Sequence, residues 1–118
     1  MATISSHVLD SVIGDHAAGI RVACYRITSE TSREKLFDVI GNEQGRIAEA
    51  VEINQSDTSV EVELVFHSAA YWNAQPATPP ANQIMETVVV RFAIPEPDDK
   101  IHIPVMLSPH SYSVWWSA

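Results

Sequence analysis

The period of the hydrophobic pattern most constrains what this chain can become. From Ser59 to Phe66, apolar and polar residues alternate: Val60, Val62, Leu64 and Phe66 share one side, and Glu61, Glu63 and Val65 the other. A helix would scatter those residues around its axis, whereas a strand gathers each set on one face. The same period marks residues 4–10, 20–27, 35–40, 85–94 and 100–107, a short stretch beginning at Arg46, and a last run from Ser111 through Trp115-Trp116 to the chain end. Turn-forming residues separate these runs: Gly14-Asp15, Gly41 to Gly45, and Pro95-Glu96-Pro97-Asp98-Asp99. Helical spacing is confined to His67–Ala74, where Ser68 can cap and Pro76 stops the helix; 75–83, with three prolines, reads as a loop. About eight short strands joined by turns predict one all-β domain over residues 1–118, a sandwich rather than a barrel.

Composition narrows the function classes. A formal charge of −8, with the seven Lys and Arg scattered, argues against nucleic acid, whose phosphates demand clustered cations. No run approaches the ~20 apolar residues of a membrane span, and Met1 to His7 lacks the basic and apolar parts of a secretory signal. Cys24 is the lone cysteine, so no internal disulfide can form and a reducing compartment is expected. The expected location is the cytoplasm, with the peroxisome left open. Asn54-Gln55-Ser56 matches a glycosylation sequon but reads as a polar loop in that setting.

Alternation also says which residues share a face. With Ile101, Ile103, Val105 and Leu107 turned to the core, His102, Pro104 and Met106 lie outside together. His7 and Leu9 point the same way as each other, opposite Val8; Ser113 and Trp115 form one side of the last run, and Tyr112, Val114 and an inward Trp116 the other. An outer face carrying Leu9, Pro104, Met106 and Trp115 is too apolar for open water and suits an interface or a ligand groove. His7 and His102 among them are candidates for chemistry, although a strand histidine serves as readily at a plain interface. Arg46, after a glycine, reads alone as a solvated turn residue. His16, His67 and His110 fall at turns or element ends and are assigned structural or solvent roles, and Tyr71-Trp72 a packing role. No histidine spacing suits a metal, so neither a metal nor another cofactor is expected.

Three segments together resemble the transthyretin family, in particular its 5-hydroxyisourate hydrolase branch. They are Ser6-His7-Val8-Leu9-Asp10 with Gly14 and Ala17-Ala18-Gly19-Ile20-Arg21-Val22; Asn42-Glu43-Gln44-Gly45-Arg46-Ile47; and Ile101-His102-Ile103-Pro104-Val105-Met106-Leu107-Ser108-Pro109 with Tyr112-Ser113. The resemblance implies a prealbumin-like eight-stranded sandwich with one short helix. It also implies a homotetramer, a dimer of dimers, with small-molecule sites in the channel between dimers. His7, Arg46 and His102 match the hydrolases' catalytic set, which the hormone-carrier branch lacks. Leu9, Pro104, Met106, Ser113 and Trp115 match channel-facing positions, and Trp116 is added as a substrate contact at the chain end.

Such a set suits the opening of a cyclic amide. One imidazole deprotonates water, another protonates the leaving nitrogen, and a guanidinium holds the developing oxyanion. The chain departs from the hydrolases at its end, however. They finish in Tyr-Arg-Gly-Ser, and this chain in Trp115-Trp116-Ser117-Ala118, while His110-Ser111 stands where they carry Phe-Gly. Two indoles add apolar area but only one donor each. The expectation is a hydroxyisourate-hydrolase-like enzyme of a heterocyclic substrate, changed at this end from 5-hydroxyisourate. The alternatives are an isomerase or cyclase using the same residues, or a non-catalytic carrier of an aromatic molecule.

Overall fold

A computed structural model describes residues 1–54, 60–76 and 82–117. Its first sheet is organised about β1 (Ala2–Asp10), where burial alternates at every residue. Ala2, Ile4, Ser6, Val8 and Asp10 point inward, and Thr3, Ser5, His7 and Leu9 outward. On one flank β1 pairs antiparallel with β5 (Arg46–Val51) and then with the two-residue β2 (Asp15–His16). On the other it pairs parallel with β8 (Lys100–His102) and then β9 (Val105–Ser108), which carries β10 (Ser111–Val114) at the edge. The second sheet has the order β4 (Arg33–Ile40), β3 (Arg21–Ile27), β6 (Val60–Phe66), β7 (Val88–Ile94).

The core between the sheets takes Ile4 and Val8 from β1, Val22 from β3, and Ile101 and Leu107 from β8 and β9. Val60, Val62, Leu64 and Phe66 are buried as their alternation requires. Burying each such side chain contributes about 1.5–3 kcal/mol. On the reverse of β6, Glu61 and Glu63 bind Arg91 of β7 at 3.1 and 2.6 Å. The architecture is thus the all-β, transthyretin-like sandwich with one short helix.

Among the described residues ten strands stand where eight runs were expected. One addition is β2, too short to carry a period. The other arises because Pro104, which has no N–H, divides the run 100–107 into β8 and β9. The last strand ends at Val114 rather than at the chain end, although Ser117 returns to form a bridge with His102. Strand β7 begins at Val88, three residues after its expected start.

Helix α1 (Ser68–Asn73) buries Ala69, Tyr71 and Trp72. Its N-cap is His67 with no side-chain cap bond, so Ser68 does not cap it; the Ser68 hydroxyl instead faces the Glu86 carbonyl at 3.5 Å. Tyr71 does more than pack: its hydroxyl donates to Asp10 Oδ2 at 2.6 Å. The other Asp10 oxygen accepts from the amides of Val12 and Ile13, closing the turn after β1. Of the expected polar loops, residues 55–59 and 77–81 lie outside the described residues, which removes most of the sequon from view.

Candidate functional site

Register brings the chemistry-bearing residues into rows across the outer face of the first sheet. His7 and Arg46 are direct partners in the β1–β5 ladder, so both side chains leave the sheet on the same side. Ser5 is the partner of Ala48 on one flank and His102 on the other. The offset between β1 and the third segment is constant from Ser5–His102 to Val8–Val105, which puts Pro104 level with His7. One further step along, His16, Leu9, Met106 and Ser113 lie side by side.

Arg46 is set by its turn. The Asn42 side-chain oxygen accepts from the amides of Gln44 and Arg46 at 2.9 and 3.0 Å, and the Asn42 amide donates to the Arg46 carbonyl. Gly45 closes this turn with φ +67°, and its carbonyl accepts from the Val8 amide at 2.8 Å. The guanidinium is exposed and has no ion pair among the described residues. A concave groove of about 600 Å³ runs past Ser5, Asn42, Arg46, Lys100 and His102.

The two histidines meet different partners. His102 Nδ1 lies 2.8 Å from the Ser5 hydroxyl, leaving Nε2 without a hydrogen bond among the described residues. Its backbone is tied to Ser117 in both directions, at 2.8 and 3.2 Å. His7 instead turns Nε2 onto His16 Nδ1 at 2.9 Å, with the rings 5.1 Å apart and tilted by 41°. Burial lowers the pKa of both His7 and His102, and the Arg46 charge adds to the effect in each. For His7, the neighbouring His16 and His102 lower it further, while a hydrogen bond with the Gln44 backbone opposes them.

The remaining expected site residues divide. Leu9 is half-buried, and Met106 and Trp115 are 40% and 47% exposed. Ser113 is exposed beside Met106, and the Trp115 amide donates to the Pro104 carbonyl. Pro104 itself is buried, so it is no part of an exposed apolar surface. Trp116 is 68% exposed, and it flanks a separate hollow of about 440 Å³ with Phe92 and the core-facing Ile101 and Ile103. The Ser117–His102 bridge keeps the register of β10, so Trp116 stands on the inner side of the sheet edge but is left uncovered there.

Sequence reasoning missed four neighbours of the set. Ser5 was legible, since a residue two before His7 on a strand shares its face. Lys100 likewise precedes His102 by two. Asn42 carried a turn signal but none of a side-chain role. His16 carried no signal, because only the β1–β2 pairing returns it to His7. Elsewhere, Cys24 is buried and its thiol pKa is pushed up to about 12, so it offers no ready nucleophile. Among the described residues no three His, Cys, Asp or Glu side chains converge as metal ligands, and no helix is long and apolar enough to cross a membrane.

Residues 4–116 match the HIUase/Transthyretin family. This chain belongs to that family. The family relatives include a 5-hydroxyisourate hydrolase of Pseudomonas aeruginosa, 31% identical over 115 residues, with 98% of this chain and 90% of the relative covered. Another, from Rhizobium meliloti and named 5-hydroxyisourate hydrolase 2, is 30% identical over 112 residues, covering 95% of this chain and 92% of the relative. Among solved structures, the Klebsiella pneumoniae 5-hydroxyisourate hydrolase superposes with a TM-score of 0.78 at 25% identity, covering all of both chains. An (S)-allantoin synthase shares the fold at a TM-score of 0.81 and 24% identity; 99% of this chain covers 44% of that one.

Proposed function

We propose that this chain is a hydroxyisourate-hydrolase-like enzyme that opens a cyclic amide or related heterocycle with Arg46, His102 and His7. The observation that carries the reading is the shared outer face: His7 stands directly opposite Arg46, and His102 borders the same groove as that guanidinium. The full-length similarity to relatives named 5-hydroxyisourate hydrolase supports hydrolysis as the reaction class.

The chemistry follows from the partners of each side chain. His102 has an Nε2 without a hydrogen bond among the described residues and a depressed pKa, so near neutrality it is an unprotonated base able to take a proton from water. The resulting hydroxide adds to the ring carbonyl carbon, and the Arg46 guanidinium binds the oxygen that becomes negative. The C–N bond then breaks, and the leaving nitrogen takes a proton from the protonated form of His7. Loss of the His102 proton to solvent restores the base. Leu9, Met106, Ser113 and Trp115 line the approach, with the Trp115 indole offering a π face to a planar ring. The exposure of the apolar Met106 and Trp115 on this face supports the reading that further copies close it, in a dimer of dimers.

The exposed indoles of Trp115 and Trp116 favour a second reading in which the substrate is larger or more aromatic than 5-hydroxyisourate, with turnover or simple binding as the outcome. Freshly generated 5-hydroxyisourate, followed by absorbance, separates the two. Accelerated decay that is abolished by Arg46→Ala and by His102→Ala supports the hydrolase reading. No acceleration by the wild type removes 5-hydroxyisourate as the substrate. If the paired change Trp115→Tyr and Trp116→Arg leaves substrate preference as it was, the indoles do not select the substrate.

A further inference from the structure

Proton delivery by His7 meets an obstacle within its own surroundings. Its imidazole is partly buried, and the positive charge of Arg46 from β5, of His16 from β2 and of His102 from β8 disfavours its cation, against which only a hydrogen bond with the Gln44 backbone acts. An acid that stands mostly unprotonated needs a route for protons. On the strand flanking β1, His16 provides a titratable group in direct contact, with Nδ1 2.9 Å from His7 Nε2. At that separation one of the two nitrogens donates and the other accepts, so the two rings hold a proton between them. The far nitrogen of His16, Nε2, lies 3.7 Å from the Asp15 carboxylate, and both side chains are open to water, at 40% and 68% exposure. The Asp15 carboxylate also accepts from the His16 amide at 2.8 Å, fixing the two residues relative to each other.

We propose that His16 is a positioning residue that holds His7 and relays protons between His7 Nε2 and solvent, with the Asp15 carboxylate beside its solvent-facing nitrogen. This inference rests on the hydrolase reading of the site. In the loading direction a solvent proton binds His16 Nε2, and the His16 Nδ1–H bond breaks as its proton passes to His7 Nε2. His7 gains one proton at Nε2, His16 returns to neutrality as its other tautomer, and His7 then releases the proton on its Nδ1 to the leaving nitrogen in exchange for the ring's hydrogen bond with the Gln44 backbone. The arrangement also divides the labour of the two site histidines. His7 Nε2 is committed to β2, while His102 Nε2 remains free beside the groove.

The test begins on the substrate-free protein, with the imidazole resonances of His7 and His16 followed by NMR from about pH 5 to 8. A shared proton makes both rings report the same two macroscopic steps. In His16→Asn, whose amide can still hydrogen-bond His7 but cannot titrate, His7 follows one step. With 5-hydroxyisourate as substrate, the same variant lowers kcat about tenfold or more with little change in KM, and added imidazole restores the rate. Independent single-step curves in the wild type overturn the proposal, as does an unchanged kcat in His16→Asn. If the wild type turns over no 5-hydroxyisourate, the hydrolase reading fails for that substrate, and the ring titrations still decide the pair.

Discussion

Replacing Gly45 by alanine drives a methyl carbon into the Val8 carbonyl oxygen and to 3.1 Å from the Ala17 amide nitrogen. Those two atoms already bond each other at 2.9 Å, and the Gly45 carbonyl holds the Val8 amide, so the turn cannot retreat without opening both contacts. Gly14 is the internal control: its φ is also +67°, yet a Cβ there meets nothing within 4 Å. Gly14→Ala therefore costs only the left-handed backbone penalty, about 1–2 kcal/mol. Gly45→Ala adds the displacement of packed backbone, about 1–3 kcal/mol more. With an unfolding entropy of about 0.25 kcal/mol per kelvin for a chain of this length, the first loss lowers Tm by about 4–8 °C and the second by a further 4–12 °C. Calorimetry and urea unfolding on the two variants measure the difference. Activity gives a second readout, since the turn that Gly45 closes also fixes Arg46 and reaches His7 through Gln44. Equal destabilisation by the two substitutions would refute the steric argument, as would full activity in a destabilised Gly45→Ala.

Three further outcomes are expected. His7, His67 and His102 are all held below the ordinary histidine value of 6.5, chiefly by burial. The unfolded chain therefore binds more protons than the folded one, stability falls as pH drops through about 6.5, and Tm measured from pH 8 to 5 declines on the acid side. Ser5→Ala removes the hydroxyl 2.8 Å from His102 Nδ1 and costs about 1 kcal/mol, a factor of about five in kcat with KM little changed; a wild-type kcat would deny Ser5 an orienting role. Tyr71→Phe leaves Asp10 Oδ2 without its buried hydroxyl partner and lowers stability by about 1.5–3 kcal/mol, read from the urea midpoint; an unchanged midpoint would show that Asp10 needs only its turn amides.

The sequence carried the architecture because sandwich strands buried on one side must alternate. Ile4 to Asp10 obey that demand at every position, and Val60 to Phe66 at all but Val65, which is buried on the reverse face. The same rule put His7 and His102 on the outer face, and the family resemblance added Arg46. It failed where a side is set but its cover is not. Trp116 continues the register of Ser113–Met106 and Val114–Val105 on the side of Ile101 and Ile103, yet stays 68% exposed. Pro104 occupies an outer-face register position yet is covered, because parity gives direction and says nothing about what packs on top. His16 was assigned a structural or solvent role from its place after a turn, and β2 is too short to reveal that the chain doubles back onto Leu9.

The parallel pairing of β1 with β8 and β9 has a consequence for how the chain acquires activity. Ser5 and His102 are 97 residues apart in sequence, and no local hairpin can bring them together. The entropy of closing so long a loop is met only when the intervening strands have found their places. In a refolding experiment, the β3–β4 hairpin and the antiparallel pairing of β6 with β7 can form while the outer face is still divided. Recovered turnover would then time the closure of the first sheet, and a partly assembled chain would carry every reactive side chain without being an enzyme.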